Sequence, residues 1–517
     1  MRVNSKIINE CFFVFLLMGS TLPVSRTLPN CFAAPKVYAS LFVCCLWGTL
    51  ICSHRRLEIS VGRCVHYILT VCLILIFIYV IQAVGWFPSI QEGQVVFFST
   101  TTEFASCLSI SLPIPLYLYL TSKSKTRFLY GITSFLWVAT ILHLHFRTGI
   151  ICLIVIVGLL FKKRTNLIKI YGVCCCCIGF FLCLFLKSGS SSGRWFIIQR
   201  TTEMVFKHPF SGWGFGGFRA NYMNLQASFF SQYPNSEYSM FAGNTLHPLN
   251  EFLLVAVENG LLVLVFVFVG IGAVVFYHKR HGSRWSKMGF SIFSCIIIVS
   301  FFSYPSYFPF TWVMLAFSLY LIFLQKSRNM KINPYTSIGL AVFSIVFGFM
   351  VYARFSSEKK WAAIMNEEIL KHGKRQRAFY QLYPIMKYDT RFLYSFAYEL
   401  YQSGAYQSAL QIATECNEML ADYNLSLLQG DICFALSDYQ KAIDHYTLAN
   451  NMCPCRFAPL CAIYDVYKSM GQKEESRRLA LEILKKPIKV ESTETMDYIE
   501  YIKEELNDHR TVPDHKQ

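Results

Sequence analysis

No aspartate occurs in the first 388 residues of this 517-residue chain; the first is Asp389. Charge of either sign is scarce. Only 15% of the residues are Asp, Glu, Lys or Arg, against about a quarter in soluble proteins. Residues 1–353 hold 27 Lys and Arg but eight acids, namely Glu10, Glu58, Glu92, Glu103, Glu203, Glu237, Glu251 and Glu258, a balance of +19. Residues 354–517 hold 21 cations and 23 acids, so the +17 of the whole chain belongs to its first two-thirds. The lack of Asp disfavours a sugar transferase that holds a nucleotide donor through a divalent metal, because such ions take carboxylate oxygens. It also disfavours an ion-coupled transporter working through intramembrane carboxylates. Intrinsic disorder and a single soluble globule are excluded by 54% hydrophobic residues and a mean hydropathy of +0.39. The basic excess lies in the hydrophobic part, where it records topology and not a nucleic-acid partner.

What is abundant is long apolar runs, and they predict an all-α chain: a polytopic helical membrane domain, residues 1–353, followed by a helical-repeat domain, residues 354–517. A span needs roughly 20 apolar residues. Eleven candidates lie at 7–22, 36–52, 65–84, 97–120, 128–146, 148–161, 167–186, 250–276, 287–303, 306–324 and 336–353. Pro113 and Pro115 interrupt the fourth, and the first has the basic start of a signal peptide. With this map, 19 of the 27 cations fall on one side, in clusters such as Arg55, Arg56, Arg63 and Lys279, Arg280, Arg284, Lys287. The other eight are Arg26, Lys36, Arg147, Lys187, Arg194, Arg200, Lys207 and Arg219. The positive-inside rule then places the N-terminus in the cytoplasm, and the 60-residue loop 187–246 and the tail outside.

The tail repeats. Gly404, Ser437 and Gly471 are 33 and 34 residues apart, and Ala409, Ala442 and Ser476 follow at the same step. Small residues at a turn, then Tyr and Ala on the next helix, resemble tetratricopeptide repeats, with Pro454 ending a helix and residues 358–395 as an irregular cap. Such helix pairs stack into a surface for a protein partner, although a packing appendage would look the same. Of the 20 cysteines, 15 lie before the tail. The run Cys174–Cys177 falls in an expected helix, whose 100° rotation per residue prevents four thiols from meeting one tetrahedral ion. No metal site and no cofactor are expected. The five tail cysteines, Cys416, Cys433, Cys453, Cys455 and Cys461, read as helix packing, with a disulfide left open.

The loop 187–246 carries 13 aromatic residues and the turn SGWGFGGF at 211–218, whose glycines permit backbone conformations that side chains forbid. No strand precedes that turn and no Lys-Ser/Thr follows it, so it is neither a Rossmann nor a Walker element. After the loop, GNTLHPLNEFLLVAVENGLLVLV (243–265) carries His247, Asn250, Glu251 and Glu258 into a span.

At these residues the chain resembles the O-antigen ligase and polymerase superfamily of bacterial membrane proteins. FRTGIICLIVIVGLL (146–160) is similar to the family's Ser-Arg helix start, with Arg147 as the Arg and Phe146 in place of Ser. GRWFIIQRTTEMVFKHPFSGWGFGGF (193–218) resembles the family's Gly-Arg, helix, Pro-x-x-Gly-x-Gly loop. LNEFLLVAVENGLLV (249–263) resembles its His-Asn segment, with Asn250 and Gly260 in register, Leu249 where the His usually stands, and Val263 at the last Gly. The resemblance implies metal-independent transfer of a glycan from undecaprenyl diphosphate to a hydroxyl acceptor (lipid core, protein or another glycan) at the periplasmic face of the inner membrane.

Such a reaction needs cations for the leaving diphosphate, and Arg pairs with phosphate oxygens in bidentate fashion. Arg147, Arg194 and Arg219 are the candidates; Arg147, among apolar residues, is set against an ordinary interfacial Arg that snorkels. A base must take the hydroxyl proton, which suits His247 or Glu251, with Asn250, Glu258 and Gly260 in support and Glu258 a further rival base. The expected partners are the lipid-linked glycan, its acceptor, membrane lipids and a protein on the repeats, with no nucleic acid. The alternatives are a polymerase of the same superfamily and a transporter of lipid-linked sugar without chemistry; the latter's homologous halves are not apparent.

Overall fold

The computed structural model describes residues 5–54, 58–86, 94–122, 125–160, 188–324, 332–366, 372–489 and 491–511. Among these residues every regular element is a helix, and one isolated bridge joins Val95 and Phe98. The chain packs as two compact units, each discontinuous in sequence. One comprises Met1–Leu186, Leu249–Phe252 and Val265–Asn366; the other comprises Lys187–Pro248, Leu253–Leu264 and Glu367–Gln517. By packing, then, the long loop groups with the tail, whereas the apolar pattern alone assigns it to the membrane part. The boundary before the tail also falls later than residue 353. Hydropathy drops there, but SSEKKWAAIMN contains no helix breaker, so the last long helix runs unbroken over Pro334–Asn366.

Among the described residues six helices are long and apolar enough to cross a membrane: Ala33–Ile51, Val61–Ala83, Thr101–Thr121, Glu251–His281, Arg284–Phe302 and Pro334–Asn366. Arg147–Leu160 and Pro309–Phe323 are shorter apolar helices, while Ser5–Gly19 and Lys125–His143 occupy the first and fifth expected spans. The expected span 167–186, with Cys174–Cys177, lies outside the described residues. At Pro113 the fourth span divides into two helices, Thr101–Ser111 and Pro113–Thr121, without changing course. Leu112 keeps helical dihedrals and Pro113 starts the next helix, where its missing N–H costs little.

The core of this unit is formed by side chains from Val61–Ala83, Thr101–Thr121 and Arg284–Phe302, around Trp137, whose Nε1 donates to Ser111 Oγ at 3.2 Å. Phe266, Phe276, Phe343 and Phe349 are exposed on the protein surface; apolar faces of this kind are at home in lipid. One ion pair is fully enclosed. Lys36 Nζ donates to the carbonyls of Phe32 and Phe97 at 3.0 and 2.6 Å and lies 3.8 Å from Glu103, whose other oxygen accepts from the backbone and hydroxyl of Ser99. The lysine thereby pins the turn at 95–98 to the start of the helix Ala33–His54.

The second unit is built from Ser188–Lys207, Gly217–Gln232, the segment 253–264 and eight tail helices from His372–Met386 to Thr493–Thr511. The repeat positions coincide in conformation. Gly404, Ser437 and Gly471 take positive φ of 80°, 60° and 72°, and Ala409, Ala442 and Ser476 are all buried on the helix that follows. The stretch expected as an irregular cap, 358–395, instead holds the end of Pro334–Asn366 and enters another helix pair, His372–Met386 and Thr390–Gln402. Asp389 accepts from Arg391 N and Phe392 N at a helix start, as Asp422 does from Asn424 N and Leu425 N 33 residues later. All five tail cysteines are free thiols, buried except for the half-buried Cys455.

Loop and tail share one core: Met204, Phe218, Tyr222 and Met223 pack with Ala256 and Val257 and with Ala421, Tyr423, Ala449 and Met452. The buried Gln226 amide donates to Gly243 O and Met452 O at 3.1 and 2.6 Å, and Asn244 donates to Asp422 at 2.6 Å.

Candidate functional site

The helix Glu251–His281 is broken at Gly260, which has φ 82° and ψ 169°. A break strands backbone groups that need partners, and the glycine turn supplies them. Trp213 N donates to Val257 O at 2.7 Å, Gly214 N to Glu258 O at 3.0 Å, and Leu261 N to Pro209 O at 2.7 Å. The contact is backbone against backbone. A Cβ on Gly260 would overlap the Phe210 carbonyl, and one on Gly212, itself at φ 65°, would overlap Glu258. This requirement explains both glycines. Glu258 closes the clasp from its side chain, accepting from Gly216 N at 3.0 Å where the helix Gly217–Gln232 begins. Trp213 is pinned by a bond from Nε1 to Met204 O at 2.9 Å and by the His208 ring edge-on at 4.3 Å. The tip of the turn, Phe215, is fully exposed.

His247 is half-buried in the same unit. Burial first, and the positive charge of Arg219 second, bring it down to about 4, so the imidazole is neutral at physiological pH. Arg219 also accepts from Ala421 N through its carbonyl, which ties this cation's backbone to the tail. Arg194 is exposed near the start of Ser188–Lys207, beside the exposed Trp195. The neighbouring cations are engaged: Arg200 and Lys207 both pair with Glu203, at 2.8 and 3.0 Å, and Arg200 also lies 4.6 Å from the Phe229 ring.

In the first unit, Leu249 takes a positive φ of 56°, a conformation that side chains rarely adopt. Asn250 follows and caps the helix, its Oδ1 accepting from Phe252 N at 2.9 Å. Glu251 accepts from Ser306 N at 2.9 Å. Arg147 opens Arg147–Leu160, half-buried, with no hydrogen bond or ion pair to other described residues. Just upstream, His145 has φ 51°, and His143 Nδ1 shares a 2.6 Å hydrogen bond with Tyr79 OH. Among the described residues no group of three His, Cys, Asp or Glu is placed to hold a metal ion.

The second unit thus brings His247 near Arg219 and joins Glu258 to the Gly212–Gly216 turn, while Asn250, Glu251 and Arg147 belong to the first. The clasp is the feature that residue patterns alone did not find. Glu258 stands 42 positions after Gly216 and no spacing rule links them, although paired glycines in both segments were the available signal.

Residues 110–268 match the family described as O-antigen ligase. That stretch contains Arg147, the glycine turn, His247 and the Gly260 break. No curated protein matches the chain.

Proposed function

From the O-antigen ligase domain that residues 110–268 carry, in a protein whose helices are long and apolar enough to cross a membrane, we propose that this chain transfers a glycan from a polyprenyl diphosphate to a hydroxyl acceptor at the periplasmic face of the bacterial inner membrane. The observation that carries the reading is that one family match covers both the Arg147 helix start and the turn clasped to the Gly260 break. The acceptor hydroxyl attacks the anomeric carbon, the bond to the diphosphate oxygen breaks, and the electron pair leaves with the diphosphate. Arg147, Arg194 and Arg219 are assigned to bind that diphosphate, whose developing charge fixed guanidinium groups stabilise. Arg147 supports the role best, since it has no carboxylate partner among the described residues.

His247 or Glu251 takes the hydroxyl proton. His247 is neutral and so able to accept it, as a weaker base than a free imidazole because of its burial and the nearby Arg219. Asn250, Glu258 and Gly260 act by holding backbone, as their hydrogen bonds and contacts indicate. Loop and tail pack in one unit, which supports their sharing one side of the membrane. With the basic clusters on the opposite side, the N-terminus is cytoplasmic. The helix pairs of the tail are read as tetratricopeptide-like, with a protein partner as their expected ligand.

Arg147→Ala and Arg194→Ala are expected to abolish attachment of the surface glycan at normal protein levels, measured by glycan staining of envelope fractions. Full attachment in both variants sinks the mechanism. In a deletion strain, long chains left on the lipid carrier mark a ligase, whereas single repeats on the acceptor mark a polymerase.

A further inference from the structure

The second unit contains two adjoining pockets, each lined by tail residues and by part of the loop. The first, of about 320 Å³, is walled by the rings of Tyr423, Phe457 and Tyr498 and by the charged groups of Arg456, Lys489 and Glu494. The second, of about 480 Å³, is lined by Asn235, Asn450 and Asn451 with Glu482, Lys485 and Lys486. Cys455 lines both. Lys486 forms the partition: its Nζ donates to Arg456 O at 2.6 Å and Asn450 Oδ1 at 3.4 Å, and lies 5.3 Å from the Phe457 ring. Arg456 in turn covers the Tyr423 ring at 5.2 Å. Burial brings the Lys486 ammonium down to about 8, as expected for a cation held inside a wall.

Both volumes fall at the scale of small-ligand sites, about 300–1,000 Å³. Their chemistry selects among ligands. Each pocket sets one carboxylate against two cations, Glu494 in one and Glu482 in the other, which tempers the attraction for a polyanion and supplies acceptors for hydroxyl groups. Asparagine amides both donate and accept, matching hydroxyls that do the same. Aromatic faces suit the C–H face of a sugar ring. A peptide would seek apolar side-chain slots or a free backbone edge, whereas the second pocket sets three asparagine amides and the charges of Glu482, Lys485 and Lys486 beside its apolar residues.

We propose that these pockets are neighbouring subsites for an oligosaccharide, with a sugar stacked on Tyr498 in the first and its neighbour held by Asn451 and Lys485 in the second. The identity of that sugar chain rests on the proposed transfer reaction: it is the glycan being moved or the glycan that receives it.

The test uses the full-length protein in detergent and two probes from the native host's envelope, titrated by calorimetry. One is the oligosaccharide released from the lipid carrier by mild acid, and the other is the delipidated acceptor oligosaccharide. At least one should bind the wild type, and Tyr498→Ala and Asn451→Ala should each weaken it about tenfold or more. Lys485→Ala, at an exposed position, gives the same readout with little risk to folding. Arg147→Ala should bind like the wild type, so that loss of transfer and loss of binding report on separate claims. Preference for the first probe assigns the cleft to the donor glycan, and preference for the second to the acceptor. Absence of binding by the wild type overturns the proposal, as does unchanged affinity in all three pocket variants or tight binding of a peptide that neither oligosaccharide displaces.

Discussion

His247 is uncharged in the folded protein under conditions where a free histidine would begin to take up a proton. Its folded value of about 4 lies below its ordinary 6.5. Between those two values the unfolded chain binds more protons than the folded one, so stability falls as pH drops through this window and levels off below it. His247→Gln, which cannot titrate, should flatten that part of the profile in thermal unfolding at pH 4 to 7. A wild-type curve that matches the variant's would contradict the assignment. The pattern of residue types points to His247 and Arg219 as candidates, but not to their coupling, because the 27 residues between them have to fold before the charge of one bears on the other. Leu249 shows the converse. The sequence marks it as a departure from the family His, and the structure adds that its backbone is left-handed, which no composition rule anticipates.

At the scale of elements, the clasp and the repeat turns rest on the same physical permission, a backbone free to take positive φ. Gly260→Ala adds a methyl that overlaps the Phe210 carbonyl and forces φ 82° on a side chain. It should destabilise the protein by about 3 kcal/mol or more and abolish glycan attachment, read by thermal shift and envelope staining on one preparation. Ser437 is the opposite case. It occupies with φ 60° the turn position that Gly404 and Gly471 fill at neighbouring steps, so Ser437→Gly should stabilise the tail by about 0.5–1 kcal/mol, visible as a raised unfolding midpoint. The repeat was legible because period and residue size survive in the sequence. The helix pair at 372–402 was less so, since its turn lacks glycine and its marker is the capping Asp389, which becomes meaningful only beside Asp422. The spans were legible from apolar length. How they break was not, because at Pro113 the helical dihedrals run on through Leu112, whereas at Gly260 the backbone leaves the helical region altogether.

Across the whole molecule, residues 187–248 and 253–264 contribute to a unit whose larger part is the last 151 residues. Truncation after Asn366 removes the partners of Met204, Phe218, Tyr222 and Met223 and the carbonyl that Gln226 reaches across 226 positions. The truncated protein should therefore be degraded or aggregate, and should not persist as an inactive membrane domain. Pulse-chase measurement of its half-life against the full chain checks this, and a stable truncated product would show that the loop folds alone. The arrangement also sets an order of events during synthesis. The loop emerges long before the helices that complete its core, and meanwhile its aromatic side chains have no finished interior to enter. Closure over so large a sequence separation is slow, so the segment bearing the glycine clasp spends the later part of translation incomplete. The candidate loop cannot complete its core before the last helices have been made, which makes completion of the tail the event on which its folding waits.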